Sequence, residues 1–215
     1  KQYAAGDYAY MQSLMVNCSK YSILLLALFA IPAYVEMDYL LALWLKEVPD
    51  YTALFCRLAL MMAVSQMAVY TLNAGIHATG RIFNFSVITG LTYIVELPIM
   101  YVMMRWTGNP AWAYIVPVFQ MMFNVGLICV LLRNRLPQFS IWHFLLRGYI
   151  LPVVIIISVG MVVYYAASIM SDSFMRLVLV VLVSASLLIS ISWKALLTPA
   201  MRTEVIEAVK NKLRR

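Results

Sequence analysis

The sequence predicts an all-α integral membrane protein built as a six-transmembrane-helix bundle. Three observations carry this expectation. Hydrophobic residues make up 64% of the 215 and charged residues only 12%, against roughly a quarter charged in an ordinary soluble domain. The apolar residues gather into six long runs, each near the roughly 20 residues that cross a hydrocarbon layer about 30 Å thick. Short segments rich in Gly, Pro, Asn and charge separate the runs. A soluble chain of this length buries one core and has no means of hiding six such runs. The bilayer is therefore the solvent for most of the chain.

Residues 1–20 read as an amphipathic helix on the cytoplasmic membrane surface. Gly6 and Asp7 mark a helix start with Asp7 as N-cap, and Tyr10, Met11, Leu14, Met15 and Cys18 recur at three- and four-residue spacing. The spans follow at 21–36 (with an apolar extension to residue 45), 52–76, 82–104, 111–132, 148–167 and 174–197. Together they form a bundle over 21–197, and a basic cytoplasmic tail occupies 198–215. Turn and interface chemistry fills the breaks: KEVPD at 46–50, HATGR at 77–81, RWTGNP at 105–110, the basic stretch 133–144 and SDS at 171–173. No positively charged n-region with a cleavable apolar segment precedes the first run, so the chain is expected to be a piece of a longer polypeptide.

Charge sets the expected orientation, because Lys and Arg accumulate on the cytoplasmic side. With a cytoplasmic N-terminus, the inner segments hold Lys1, Lys20, Arg81, Arg133, Arg135, Arg147, Lys194, Arg202, Lys210, Lys212, Arg214 and Arg215. Lys46, Arg57, Arg105 and Arg176 are left outside. Both ends of the segment are then cytoplasmic, and KEVPD is an external turn after an apolar stretch, 39–45, that lies along the outer interface with Trp44 as anchor. The net charge of +7 is a topology signal. Its spread over separate inner segments excludes nucleic acid as a partner.

Three consecutive spans carry polar stripes. Gln66, Tyr70, Asn73 and His77 fall on one helical face of the second span, and Thr89, Thr92, Tyr93 and Glu96 share a face of the third. The fourth adds Pro117, Gln120 and Asn124, whereas the fifth and sixth have no ionisable residue in mid-span. Polar side chains in a bilayer face a neighbouring helix or a wet cavity, so a cavity lined by the second to fourth spans is expected. Gln66, Asn73, Glu96, Gln120 and Asn124 are its candidate binding residues, and helix-to-helix hydrogen bonding is the competing role for the amides. Pro98, two residues after Glu96, removes a ladder hydrogen bond beside that carboxyl. Arg57 is also a candidate, as a cation meeting an anionic substrate near the outer mouth. Its nine-residue separation from Gln66 puts it on the opposite face of a straight helix, and headgroup snorkelling is the alternative.

Chemistry of other kinds finds little footing. Cys18, Cys56 and Cys129 show no paired or metal-type spacing. His77 and His143 stand near span ends, and no HExxH, GxSxG, Walker or CxxC signature is present. Glu36 and Asp38 share an EMD triplet at the outer end of the first span, with no partner evident from spacing. The expectation is a protein that is not an enzyme and holds no metal or cofactor.

Several segments resemble one family. "KQYAAGDYAYMQSLMVNCSKYSILLLALFAIP", "LALWLKEVPDYTALFCRLAL", "IHATGRIFNF" and "ELPIMYVMMRWTGNP" are similar to the C-terminal half of polysaccharide (O-antigen and exopolysaccharide) flippases. These belong to the multidrug/oligosaccharidyl-lipid/polysaccharide exporter superfamily. The specific features are LWL..VP.YT..F.RL at 43–58, the ATG at 78–80 with the basic residue after it, and LP..Y at 97–101; the last two spans match in hydrophobicity and position. The resemblance implies the last six helices of a roughly fourteen-helix transporter with two bundles around a central cavity. It implies transport of an undecaprenyl-pyrophosphate-linked oligosaccharide across the bacterial inner membrane by alternating access. The partners it implies are membrane lipid, the lipid-linked oligosaccharide and the N-terminal half of the same polypeptide, with coupling to a proton or sodium gradient open. Arg57 stands where the family pattern often has an arginine. Glu96 departs from that pattern, in which a neutral residue usually precedes LP. A cation-coupled multidrug exporter of the same superfamily and a membrane-embedded glycan transferase or polymerase are the alternative readings.

The orientation can be checked with single cysteines in a background lacking the native three. A membrane-impermeant maleimide added to intact spheroplasts should label Glu47→Cys and spare Asn134→Cys until the membrane is opened.

Overall fold

The computed structural model describes residues 7–80 and 82–195, with side chains through residue 193. Lys1, Gly6, Arg81 and the tail at 198–215 lie outside the described residues, and so does the end of the sixth span after residue 195. Among the described residues the regular elements are helical: α1 (Tyr8–Val35), α2 (Met37–Trp44), α3 (Thr52–Ala78), α4 (Phe83–Thr107), α5 (Trp112–Arg135), α6 (Ile141–His143), a π-helical segment (Phe144–Ile150), α7 (Leu151–Ser168) and α8 (Phe174–Ala195). The α6, π and α7 pieces run on as one rod. Six rods are long and apolar enough to cross a bilayer, the architecture of a multi-pass membrane bundle.

Local chemistry places the ends. Asp7 caps α1, its side chain accepting from the Tyr10 amide at 3.0 Å. Glu36 closes α1 through its own amide, which donates to the Pro32 carbonyl, and the chain turns there into α2. Tyr51 takes a left-handed conformation (φ 66°) to start α3, a costly state for a bulky residue. Its ring then stacks on Phe55, which stacks on Tyr114 of α5 with centroids 5.0 Å apart. Gly108, also left-handed, ends α4. Pro32, Pro98 and Pro117 lie inside continuous helices.

Two boundaries differ from the sequence reading. No break separates a surface helix from a first span at residue 20: α1 passes through it, with Met15, Val16, Ser19, Lys20 and Ile23 all buried. The fifth rod starts at Ile141, well before the expected residue 148, because Ser140 caps it by accepting from the His143 amide. His143 and Arg147 make this stretch look like a loop in sequence, yet only their side chains need water. Along the remaining spans the helices follow the expected runs closely, and the apolar extension after residue 36 forms the separate helix α2.

The rods alternate in direction. One end of the bundle carries Glu36, Asp38, Glu47, Asp50 and Asp172, and the other carries Arg133, Arg135 and Arg147; these are called the acidic and basic ends below. The helices form an open row, with α4 against α5, α5 against α3, α3 against α1, and α1 against the π segment, α7 and α8. Two apolar cores share α1. One gathers Ile23, Leu72, Val125, Ile128, Leu132 and Phe144, and the other gathers Ala27, Ile31, Val159, Val163 and Leu188. Lipid tails are as apolar as these side chains, so close packing and internal hydrogen bonds hold such helices together more than the hydrophobic effect does. Gly75 of α3 faces α1, where the flexible end of the Met15 side chain fills the space a Cβ would take.

Polar ties secure both ends of α1. At the basic end Gln12 and Ser140 exchange two hydrogen bonds at 3.1 and 3.2 Å, and the buried Ser19 hydroxyl donates to the Gly148 carbonyl at 2.8 Å. At the acidic end Arg176 of α8 donates through Nε (3.2 Å) and Nη2 (2.6 Å) to Glu36 Oε2, and its Nη1 pairs with Asp172. The Glu36 side chain is 0% exposed and that of Arg176 13%. Removing one member of a buried pair strands the other charge. Arg176→Ala should therefore destabilise the folded protein by about 3–5 kcal/mol, measured by thermal unfolding in detergent. The double variant Glu36→Gln, Arg176→Gln should recover most of that loss.

Candidate functional site

The polar stripes expected on three spans converge where α3, α4 and α5 meet. Thr92 of α4 donates through Oγ1 to Asn124 Oδ1 of α5 at 3.2 Å, sharing that proton with the Thr89 carbonyl at 2.7 Å. Asn124 is 1% exposed. Tyr93 is in hydrogen-bonding contact with Asn124 and lies within electrostatic range of Glu96 and Tyr70. On α3, Gln66 Nε2 donates to the Tyr70 hydroxyl at 2.9 Å, one helical turn along the same face. At the basic end α4 also meets α3, where His77 and Phe85 pack edge to face with centroids 6.3 Å apart.

Helical phase explains the convergence. The buried residues of α5 cluster around Met121, Val125, Ile128 and Leu132, so Asn124 and Gln120 fall on its flank toward α4. Those of α3 cluster around Ser65, Ala68, Val69, Leu72 and Ile76, which leaves Gln66, Tyr70 and Asn73 on one flank. None of α4's residues is buried: it closes one side of the seam and leaves its own far side bare.

Two buried atoms in these stripes have no hydrogen-bond partner among the described residues: Asn73 Oδ1 and Gln120 Nε2. A buried polar atom left unmatched costs about 1–3 kcal/mol, and water is the ordinary way to satisfy it. Glu96 is part-buried and enters no ion pair among the described residues. The seam thus offers a carboxyl, four amides and two phenols to a polar occupant, with no cation among the described residues.

Arg57 has its partners elsewhere. Its Nε donates to the Tyr34 carbonyl at 3.1 Å, its Nη2 to Asp38 Oδ2 at 2.6 Å, and its guanidinium lies 5.8 Å from the centre of the Tyr34 ring. The pair is partly exposed, with the Asp38 side chain at 73%. The structure therefore brings together Asn124 and Glu96, through Thr92 and Tyr93. It places Gln66 beside Tyr70, sets Gln120 and Asn73 along the flanking stripes, and holds Arg57 on the α1–α2 elbow.

Glu36 and Asp38, without evident partners in sequence, both find arginines at the acidic end. The available signal was that Arg57 and Arg176 each stand just inside a span on the side bearing those acids. The buried Ser65–Tyr149 hydroxyl pair, 2.7 Å apart, joins α3 to the π segment across 84 positions of sequence and had no local signal. Among the described residues no group of three or more His, Cys, Asp and Glu is placed to hold a metal ion. Comparison of the chain with family models, with characterised proteins and with solved structures yields no match.

A double-mutant cycle on Thr92→Ala and Asn124→Ala should give a coupling near 0.6 kcal/mol, the usual worth of an interhelical hydrogen bond in a membrane. Thermal unfolding of the four proteins in one detergent measures it, and a coupling of zero would show that the two side chains do not meet.

Proposed function

We propose that this chain is the C-terminal six-helix bundle of a flippase that moves undecaprenyl-pyrophosphate-linked oligosaccharide across the bacterial inner membrane, with no covalent chemistry. The observation that carries the reading is the seam at the α4 edge of an open helical row. Asn124, Thr92, Tyr93 and Glu96 gather there, and α4 has no buried residue. Polar groups at membrane depth need protein or a wet cavity beside them, and transporters place binding sites between two bundles that rock against each other. A second bundle, supplied by the N-terminal half of the polypeptide, would cover that edge and enclose a cavity. The resemblance of the segments around Leu43, Ala78 and Leu97 supplies the substrate class.

A second reading, a cation-coupled exporter of small amphipathic compounds, draws on one observation: Glu96 is a mid-span carboxyl with no ion pair among the described residues. A proton or sodium ion would be its counter-charge.

Translocation of lipid-linked oligosaccharide in inverted vesicles holding the full-length protein separates these readings. Glu96→Gln should lower the rate at least tenfold at equal folded abundance. Arg57→Ala should lower the folded fraction while leaving the rate per folded molecule within about twofold, since its partners lie on the elbow. Failure of the wild type to move the glycan, together with proton-driven efflux of a small cationic dye that Glu96→Gln abolishes, would favour the exporter.

A further inference from the structure

We propose that the basic end of the bundle binds the headgroup of an anionic phospholipid at the crossing of α1 and the π-helical segment, with Arg147 as the phosphate ligand. This inference is independent of the transport reading.

The two helices touch at the crossing. The Ser19 hydroxyl donates to the Gly148 carbonyl at 2.8 Å, and a Cβ on residue 148 would lie 3.5 Å from the Val16 Cα. Lys20 follows Ser19 and Arg147 precedes Gly148, and the two cations stand within electrostatic range of each other. Lys20 is held inward, its Nζ donating to Asn17 Oδ1 at 3.1 Å and resting 4.5 Å from the centre of the Tyr21 ring. Arg147 is exposed and makes no hydrogen bond or ion pair among the described residues. Arg147 thus has its donors free among the described residues, and a guanidinium matches the oxygens of a phosphate through paired N–H donors.

The surroundings select a lipid over a free anion. The Gln12–Ser140 hydrogen bonds mark the level where the fifth rod begins, and Arg147 lies seven residues further along it, about 10 Å toward the bundle centre. Trp142, 71% exposed, stands at the outer level, where tryptophan rings meet headgroups. Leu146 and Ile150, 51% and 41% exposed, flank Arg147 and face outward, as acyl chains require. An arginine at this depth extends toward the headgroup layer, with its stem among the tails. Carboxylates that could compete are remote: Asp7 caps α1, Glu96 is in mid-span, and the other described acids stand at the acidic end. The π segment fits this use, since such irregular turns recur at functional sites, and basic pockets between membrane helices are a known mode of anionic headgroup recognition.

The test is thermal unfolding of the full-length protein in neutral detergent with added phosphatidylglycerol, phosphatidylcholine or inorganic phosphate at fixed ionic strength. Phosphatidylglycerol should raise the midpoint in a saturable way, and the other two should not. Arg147→Ala should weaken the apparent phosphatidylglycerol affinity about tenfold, the worth of one hydrogen bond to a charged group; Arg147→Lys should keep most of it. Equal shifts with phosphatidylcholine, a shift reproduced by inorganic phosphate, or an unchanged response in Arg147→Ala would overturn the proposal. Should Arg147→Ala not fold, native mass spectrometry of the wild type in mixed micelles decides: preferential retention of phosphatidylglycerol supports the site, and equal retention of both lipids overturns it.

Discussion

The buried hydrogen bond from Ser19 to the Gly148 carbonyl ties α1 to the fifth rod. Helix α1 is the one that both apolar cores share. A Cβ at 148 would sit in ordinary contact, 3.5 Å from the Val16 Cα and the Phe144 ring, so the two helices touch at this point. From that crossing, α3 packs on one side through Gly75 and Met15, while α7 and α8 pack on the other. The buried hydroxyl also illustrates the rule of the medium. With no water to satisfy it, a polar group inside the bilayer must find a partner in the protein, and that partner fixes helix register.

Electrostatics divide the bundle along its axis. At the acidic end, two arginines are consumed by carboxylates on the α1–α2 elbow, one pair exposed and one buried. At the basic end, Arg133, Arg135 and Arg147 enter no ion pair among the described residues. A surface that neutralises itself at one end and stays cationic at the other is suited to a membrane with anionic headgroups on one side. The same arrangement would orient insertion by the positive-inside rule, so topology and lipid contact draw on one set of residues.

The seam of α3, α4 and α5 holds two of the three buried side-chain atoms that find no hydrogen-bond partner among the described residues, the third being Glu36 Oε1 at the acidic end. Ser19, Ser65 and Arg176 each find a definite partner. Asn73 and Gln120 do not, and Glu96 has no cation beside it among the described residues. Natural membrane proteins keep unmatched polar atoms where a ligand, water or another bundle completes them. Two unmatched amide atoms together with a carboxyl that has no ion pair among the described residues mark the seam, more than the mere presence of polar residues does.

Much of this was determined by the sequence alone. Run lengths of apolar residues fix the number of crossing helices, because hydrocarbon thickness sets a minimum length and the backbone must satisfy itself within each helix. Periodicity fixes which residues share a face, and so Gln66 with Tyr70, and Thr92 with Glu96, were legible as stripes. Partners across helices were not, since they depend on how the rods rotate and which neighbours they choose. The 140-residue separation of Glu36 and Arg176 leaves no periodic trace, and Arg57 had a helical face in the sequence but acquired a role only when Asp38 and Tyr34 were folded beside it. The early start of the fifth rod was hidden because charge there suggests a loop, although the helix continues with its charges reaching outward. Tertiary structure alone decided that α1 is central, that α4 is bare, and that Ser19 bonds to Gly148, because those outcomes depend on which helix faces pack together.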